Sequence, residues 1–509
     1  MDNQIFNKNR IAKNTLLLYC RMLFLMFVSL YTSRITLQAL GVNDFGIYTA
    51  VGGLVTMFSI ISGSLSAAIS RFITYELGIG NKDNLKTIFS SALTIQIVLS
   101  LIIVFFAETI GLWFLNVKMN IPIERMDAAN WVFQISIITF AIGLISIPYN
   151  AMVISYEKMT FFTYISIFEV MSKLLIAYLI VNAPLDKLML YSFLIGLTVL
   201  ISNFIYVIYC RHSLEGCTYR FIWDKCLLKQ MFNFAGWNFI GASSVVLRDQ
   251  GGNIIINLFC GPAVNAARAI AFQVNGAIMG FVTNFMTALN PQITKSYAAG
   301  EHRYMMSLIF QGARFSFYLL LLLSLPVLIN THYILHLWLN IVPDHTISFV
   351  RLTLIFAMCE SISNPLITVM LATGRIKEYQ IVVGGLQMLN LPVSYMLLRI
   401  GLCPESVLIT SIVISQFCLF ARLLMLREMI GISISDFIKN VYFNSLFVCS
   451  IAMVFPLIFS QFLEESFFKF LLISFISFVA TSFSIFFAGC SSKERKFFIE
   501  KIRSFVFVR

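Results

Sequence analysis

The sequence predicts an all-α integral membrane protein with about fourteen transmembrane helices, arranged as two pseudo-symmetric six-helix lobes plus two C-terminal helices. Three observations predict it: composition, the spacing of apolar runs, and the placement of positive charge between them. Of 509 residues, 59% are hydrophobic and 12% charged; phenylalanine supplies 50, and mean hydropathy is +0.86. A soluble domain carries roughly twice that charge. So much apolar side chain exceeds what one soluble core can bury, and lipid must solvate the surplus.

A helix needs about 20 apolar residues to cross the hydrocarbon layer. Runs of that length fall at 15–38, 46–70, 87–112, 129–153, 160–182, 187–210, 230–258, 263–290, 306–331, 346–373, 378–400, 404–426, 438–460 and 466–489. The narrowest divisions are the Gly/Pro breaks around Gly261 and Gly401. The first stretch, Thr15 to Leu40, is too long for a signal h-region and has no A-x-A site, so it reads as an uncleaved first helix.

Loop charge tests the count independently. With the N-terminus inside and the helices alternating, 24 Lys and Arg fall on the cytoplasmic side and 6 on the periplasmic side. One miscounted helix would scramble that asymmetry. It predicts a multi-pass protein of a bacterial cytoplasmic (inner) membrane with both termini in the cytoplasm. The tail from Ser491 to Arg509 alternates basic and aromatic residues, as expected of a segment lying on the anionic inner leaflet or of a plain topology anchor.

Composition also excludes. The net charge of +12 does not point to nucleic acid, because the basic residues are spread through short loops rather than gathered in one stripe. The ten cysteines are scattered, mostly inside apolar runs, and read as small apolar side chains. No G-x-x-x-x-G-K-[ST] loop, H-E-x-x-H pair or CxxC cluster occurs, so no cofactor or metal is expected. His332, His336 and His345 near the ninth and tenth spans read as solvated loop residues before they read as metal ligands. A sugar polymerase would call for a sizeable outer loop, and that between the ninth and tenth spans is short. No catalytic residues are expected.

An internal repeat supports the two lobes. At an offset of 220, Gly41 aligns with Gly261, Ile73-Thr74 with Ile293-Thr294, and Gly80 with Gly300. At 217, Pro148 aligns with Pro365 and Lys158 with Arg375. An even number of spans separates the copies, so the halves share orientation, related about the membrane normal. The expected organisation is an N-terminal lobe at 1–210, a cytoplasmic loop at 211–229, a C-terminal lobe at 230–427, two helices at 428–490 and a basic tail at 491–509, with a cavity between the lobes. Prolines 148, 326, 365 and 392 interrupt spans in both halves and suit lobes that rock.

Ionisable groups at bilayer depth are expensive and usually face a cavity or a partner. Arg21, Lys173, Arg248, Arg268, Arg314 and Arg351 fall within spans, against the acids Glu169, Asp249 and Glu360. That excess predicts a wet cationic cavity for an anion, and a guanidinium fork matches the oxygens of a diphosphate. Arg21, Arg248 and Arg268 are the foremost candidates, with Lys173 and Arg314 behind them. Arg314 and Arg351 are near enough to a face to snorkel. Lys173 has Glu169 four residues before it and can neutralise itself. Arg248 adjoins Asp249, but consecutive helical side chains splay about 100° apart, so that pair is not expected to close. Glu360, before Pro365, is expected either to carry protons or to serve as counter-ion; Glu169 and Asp249 share that pair of readings.

Several segments resemble a known family. They are Leu30-Tyr31-Thr32-Ser33-Arg34, the run Leu40-Gly41-Val42-Asn43-Asp44-Phe45-Gly46-Ile47-Tyr48, Asn265-Ala266-Ala267-Arg268, Asn290-Pro291-Gln292-Ile293 and Ala372-Thr373-Gly374-Arg375. From about Asn14 to Arg427 the chain resembles the bacterial polysaccharide (O-antigen and capsule) repeat-unit flippases of the multidrug/oligosaccharidyl-lipid/polysaccharide exporter superfamily. The L-G-x-x-x-F-G-x-Y element is the most specific part. The resemblance implies flipping of undecaprenyl-diphosphate-linked oligosaccharide from the inner to the outer leaflet through a cationic lumen, which Arg21, Arg248 and Arg268 would supply. It implies membrane lipids and the polysaccharide polymerase and chain-length machinery as partners. The related peptidoglycan-precursor flippase and the multidrug cation antiporters of the superfamily are the alternatives; acidic cavities are typical of the antiporters, and cations outnumber deep acids here.

Overall fold

The structure is a computed structural model. It describes residues 2–58, 69, 72–73, 82–156, 158–220, 225–298, 300–339, 341–373, 375–492, 494–496 and 499; over 2–22, 225–240 and a few single positions it describes backbone alone. The described residues form helices and short connections, with no strand among them.

The helices are α1 (Asp2–Thr56), α2 (Lys82–Phe106), α3 (Met126–Ser155), α4 (Met159–Val181), α5 (Lys187–Ser213), α6 (Lys225–Cys260) and α7 (Pro262–Ala298), then α8 (His302–Ile329), α9 (Thr331–Leu339) and α10 (Thr346–Ala372). A broken stretch from Ile376 ends in α11 (Asn390–Arg399), and α12 (Ser406–Ile430), α13 (Asn444–Phe462) and α14 (Phe467–Ser484) complete the order. Twelve of the described helices are long and apolar enough to span a membrane. They match the expected runs apart from 46–70 and 230–258. The first of these begins within α1, which changes direction at Gly41, and the second coincides with α6. The protein is a multi-pass membrane protein whose outward apolar surface includes Phe105, Phe204, Phe447, Phe475 and Phe483.

Glycine decides two of the breaks. Gly41 bends α1 at φ 78°, and Gly261 separates α6 from α7 at φ 82°. An L side chain rarely adopts that conformation. These are the two glycines that the 220-residue offset aligns, and both take the left-handed region of φ. Pro148, Pro326 and Pro365 lie inside α3, α8 and α10. Wide π turns add further irregularity at Ala107–Gly111, Gln380–Gly384, Ile438–Phe443 and Ile485–Gly489.

The chain divides into two compact units: Met1–Ala269 with Trp338–Asp344 and Met388–Pro404, and Ile270–Leu337 with His345–Gln387 and Glu405–Arg509. In the first, α2 to α5 pack around Phe89, Met152, Ile165 and Cys210, all nearly inaccessible. Arg125, just before α3, fastens the helix ends. Its Nε donates to Asp44 Oδ1 at 2.8 Å and its Nη1 to Asp186 Oδ2 at 2.6 Å. Asp186 also caps α5 by accepting from the backbone of Leu188 and Met189 at 3.1 and 3.0 Å. In the second unit, Arg314 of α8 holds the chain after α14. Its Nη1 donates to the Gly489 carbonyl at 3.0 Å and its Nη2 to Glu494 Oε1 at 2.7 Å. Tyr318, one turn on, donates its hydroxyl proton to Asn444.

Candidate functional site

The break at Gly261 brings two of the sequence-predicted cations together within the first unit. α6 carries Arg248 and Asp249, and α7 returns Arg268 beside them. Proline at the first position of α7 suits this start, where its missing N–H has no helical partner to lose.

Arg248 Nε donates to Asp249 Oδ1 at 2.9 Å and its Nη2 to Oδ2 at 3.4 Å. The expectation that neighbouring side chains splay apart is therefore corrected. Cβ vectors do diverge by about 100°, but the arginine stem is long enough to fold back across that angle. The pair keeps some accessibility, 15% for the arginine side chain and 32% for the aspartate. Arg268 is 2% exposed, and its Nη2 donates to the backbone carbonyl of Asp249 at 3.1 Å. Its guanidinium lies against Gly252, where a Cβ would come 2.7 Å from Nη2. The glycine makes room for the cation.

The other candidates lie elsewhere. Arg21 is in α1, where only the backbone is described, so its side chain lies outside the described residues. Lys173 is exposed on α4 and forms no ion pair with Glu169 among the described residues; Glu169 lines a polar cavity instead. Arg314 is engaged by Glu494 and the Gly489 carbonyl, an anchoring arrangement. Arg351 is exposed, its Nε 3.4 Å from Thr331 Oγ1. The histidines take carboxylate neighbours: His345 meets Glu405 at 2.7 Å and His332 meets Glu465 at 3.3 Å. No cluster of three metal-ligating side chains occurs among the described residues.

One cation escaped sequence reading. Arg422 of α12 falls inside the expected span 404–426 but is not among the candidate cations, and it is 1% exposed. Tyr379 accepts a hydrogen bond from it, and Glu360 acts on it electrostatically without a direct ion pair. Glu360 in turn has a buried Oε1 with no hydrogen-bond partner. An i,i+4 search within one helix cannot find this relationship, because the two residues are on different helices.

Residues 249–396 match the MatE family. Among solved structures, the chain is similar to an inward-facing multidrug resistance MATE family transporter of the MOP superfamily, at 12% identity, TM-score 0.69, covering 79% of this chain and 94% of that one. It is similar to the lipid II flippase MurJ in an inward closed conformation, at 11% identity and TM-score 0.68, covering 96% of this chain and 100% of that one. A third is a MOP superfamily transporter from Pyrococcus furiosus, described as having a binding pocket of reverse polarity, at 12% identity, TM-score 0.54, covering 81% and 96%. No curated protein matches. The chain thus has the fold of the MATE and MurJ transporters, with a MatE match over residues 249–396.

Proposed function

We propose that the protein flips polyprenyl-diphosphate-linked oligosaccharide, with undecaprenyl-diphosphate repeat units as cargo, from the inner to the outer leaflet by alternating access. The observation that carries the reading is the Arg248–Asp249–Arg268 cluster at the Gly261 break. Two guanidiniums meet at one aspartate in this fold: Arg248 pairs with the Asp249 carboxylate and Arg268 donates to the Asp249 backbone carbonyl. A diphosphate, with at least two charges and planar sets of oxygens, competes well with a lone carboxylate for the Arg248 fork. Arg268, held by the Asp249 carbonyl, fixes the neighbouring backbone and supplies the second charge as the site opens. The polyprenyl tail stays in lipid throughout.

The fold likeness adds support. The flippase structure matches 96% of this chain and the multidrug transporter 79%, at TM-scores of 0.68 and 0.69, so the wider coverage supports the flippase reading. A peptidoglycan-precursor lipid presents the same diphosphate and is the second reading, favoured by that same whole-chain match. A multidrug cation antiporter would need a negative pocket, and the cluster at Gly261 is positive. Lys173 and Arg314 move out of the headgroup site in this reading, and Arg21 stays in it by its position in α1. Glu360 acts as the counter-charge of Arg422.

The test is flipping of a fluorescent lipid-linked oligosaccharide in proteoliposomes by the wild type, Arg248→Ala and Arg268→Ala. Each variant is expected to insert normally and to flip at least about tenfold more slowly, as loss of a charge-assisted contact worth about 1.5–3 kcal/mol dictates. Wild-type flipping by both variants would end the cationic-site reading.

A further inference from the structure

The short helix α9 (Thr331–Leu339) carries His332 and His336 four residues apart, so the two imidazoles project from one side of it, one turn from each other. Their ring centroids lie 4.5 Å apart, with the planes tilted by 52°. Both side chains are exposed. Two histidines at this spacing on a helix are a recurrent pair of ligands for a transition-metal ion. This pair also has a carboxylate behind it, from a distant part of the chain within the same unit. His332 Nδ1 stands 3.3 Å from Oε2 of Glu465, in the turn between α13 and α14.

The turn that carries Glu465 is held on both sides. Ser466 Oγ accepts from the Lys469 backbone N–H at 3.1 Å and caps α14, while Lys469 Nζ donates to the Leu463 carbonyl at 2.7 Å. Tyr333 stacks on Phe470 at 5.7 Å and fastens α9 to α14 beside the histidines. A cavity of about 110 Å³ lies between these elements, with Asn330, His332, Glu465 and Lys469 in its wall. Lys469 brings a positive charge there, which Glu465 offsets. A carboxylate beside Nδ1 takes up the proton on that nitrogen, so the lone pair of the neutral ring falls on Nε2. Metal-ligating histidines are arranged in this way, one nitrogen on the ion and the other donating to a carboxylate. Imidazole suits zinc, copper and nickel, whereas magnesium and calcium take oxygen.

We propose that His332 and His336 bind a transition-metal dication of the zinc class, with water completing the coordination and Glu465 orienting His332 from behind. A metal on Nε2 makes the Nδ1 proton a stronger donor, so occupancy tightens the contact between α9 and the α13–α14 turn. The ion is a clasp on that end of the second unit, neither cargo nor energy source, and it is independent of the transport reading above. His345 supplies the contrast. Its Nδ1 also meets a carboxylate, Glu405 at 2.7 Å, but four residues to either side stand Ile341 and Phe349, so no second imidazole completes a pair.

The experiment is calorimetric titration of zinc into the tag-free full chain in nanodiscs, with magnesium as the control ion. One saturable site is expected for the wild type. His332→Ala, His336→Ala and Glu465→Gln should each weaken it about tenfold or more, and His345→Ala should bind as the wild type does. Both ligands are exposed, so neither of their alanine variants should shift the metal-free melting temperature, which separates lost binding from lost folding. Zinc should raise the melting temperature of the wild type and leave that of His336→Ala unchanged. With copper(II) as probe, electron paramagnetic resonance should show two bound ring nitrogens in the wild type and one in either alanine variant. Absence of saturable zinc binding, equal affinity for magnesium, or wild-type affinity in both alanine variants would each overturn the site. Wild-type affinity in Glu465→Gln would overturn the clasp.

Discussion

The carbonyl oxygen of Pro262 occupies the place that a Cβ on Gly46 would take. That one contact explains why the element Leu40–Tyr48 carries a glycine at its seventh position. α1, after its Gly41 turn, lies directly on the backbone at the start of α7. Asp44 in the same element grips Arg125, and Tyr48 meets Tyr191 edge-on at 4.9 Å. The motif recognisable in the sequence is a docking element within the first unit.

Gly46→Ala is therefore expected to destabilise severely, by about 3 kcal/mol or more, because the obstacle is backbone and cannot rotate away. Gly52→Ala is the control, since nothing lies within 4 Å of a Cβ there. Thermal unfolding in detergent reads both. Equal melting temperatures for the two variants would contradict the packing.

Arg314 and Glu494 form a pair with side chains only 13% and 12% exposed. Removing one partner strands the other, so Arg314→Ala should cost about 3–5 kcal/mol and loosen the segment after α14. The swapped double variant Arg314→Glu with Glu494→Arg should regain part of that loss. Limited proteolysis of the C-terminal segment reports it, and no recovery in the swap would mean the pair is incidental.

Asp249 is the competitor of the proposed headgroup. Asp249→Asn is expected to tighten binding of a soluble diphosphate analogue by about tenfold while slowing turnover, since release becomes harder. Titration calorimetry and single-turnover flipping measure the two effects. Weakened binding would instead make Asp249 part of the receiving site.

Glu360→Gln should lower stability by about 1–3 kcal/mol, because Arg422 is buried and loses a nearby compensating charge. Transport by the folded protein should keep the wild-type response to a pH gradient. A flattened response would reassign Glu360 as a proton carrier.

Asp186, outside the spanning segments, has its carboxyl held below the ordinary aspartate value of 3.8. Burial pushes it upward, but the Arg125 hydrogen bond and the backbone donors of Met189 and Leu188 prevail. A lowered folded value means that the unfolded chain binds the proton more readily. The contribution is complete above the unfolded value and is lost as pH falls through the folded one. Melting temperature should thus drop on acidification through the aspartate range, and Asp186→Asn should lose that part of the slope.

Much of the architecture was legible in one dimension because lipid imposes a simple rule: backbone polar groups must be satisfied within the helix, and helices must be long enough to cross. The breaks at Gly41 and Gly261 were visible for a similar reason, since only a residue without a Cβ settles readily at φ 78° or 82°. Counting also put Arg21, Arg248 and Arg268 foremost among the cations within spans, and the structure brings two of them, Arg248 and Arg268, to Asp249.

Side-chain partners were not legible, because they depend on which faces of separate helices meet and on how far a flexible stem reaches. Only the tertiary structure folds Arg248 onto Asp249, seats Arg268 against Gly252, leaves Lys173 on the surface and turns Glu169 into a polar cavity. It alone shows Arg422 buried. Hydropathy is a sum along the chain and survives in the sequence. Electrostatic pairing is a function of distance in space, and that distance exists only once the helices have packed.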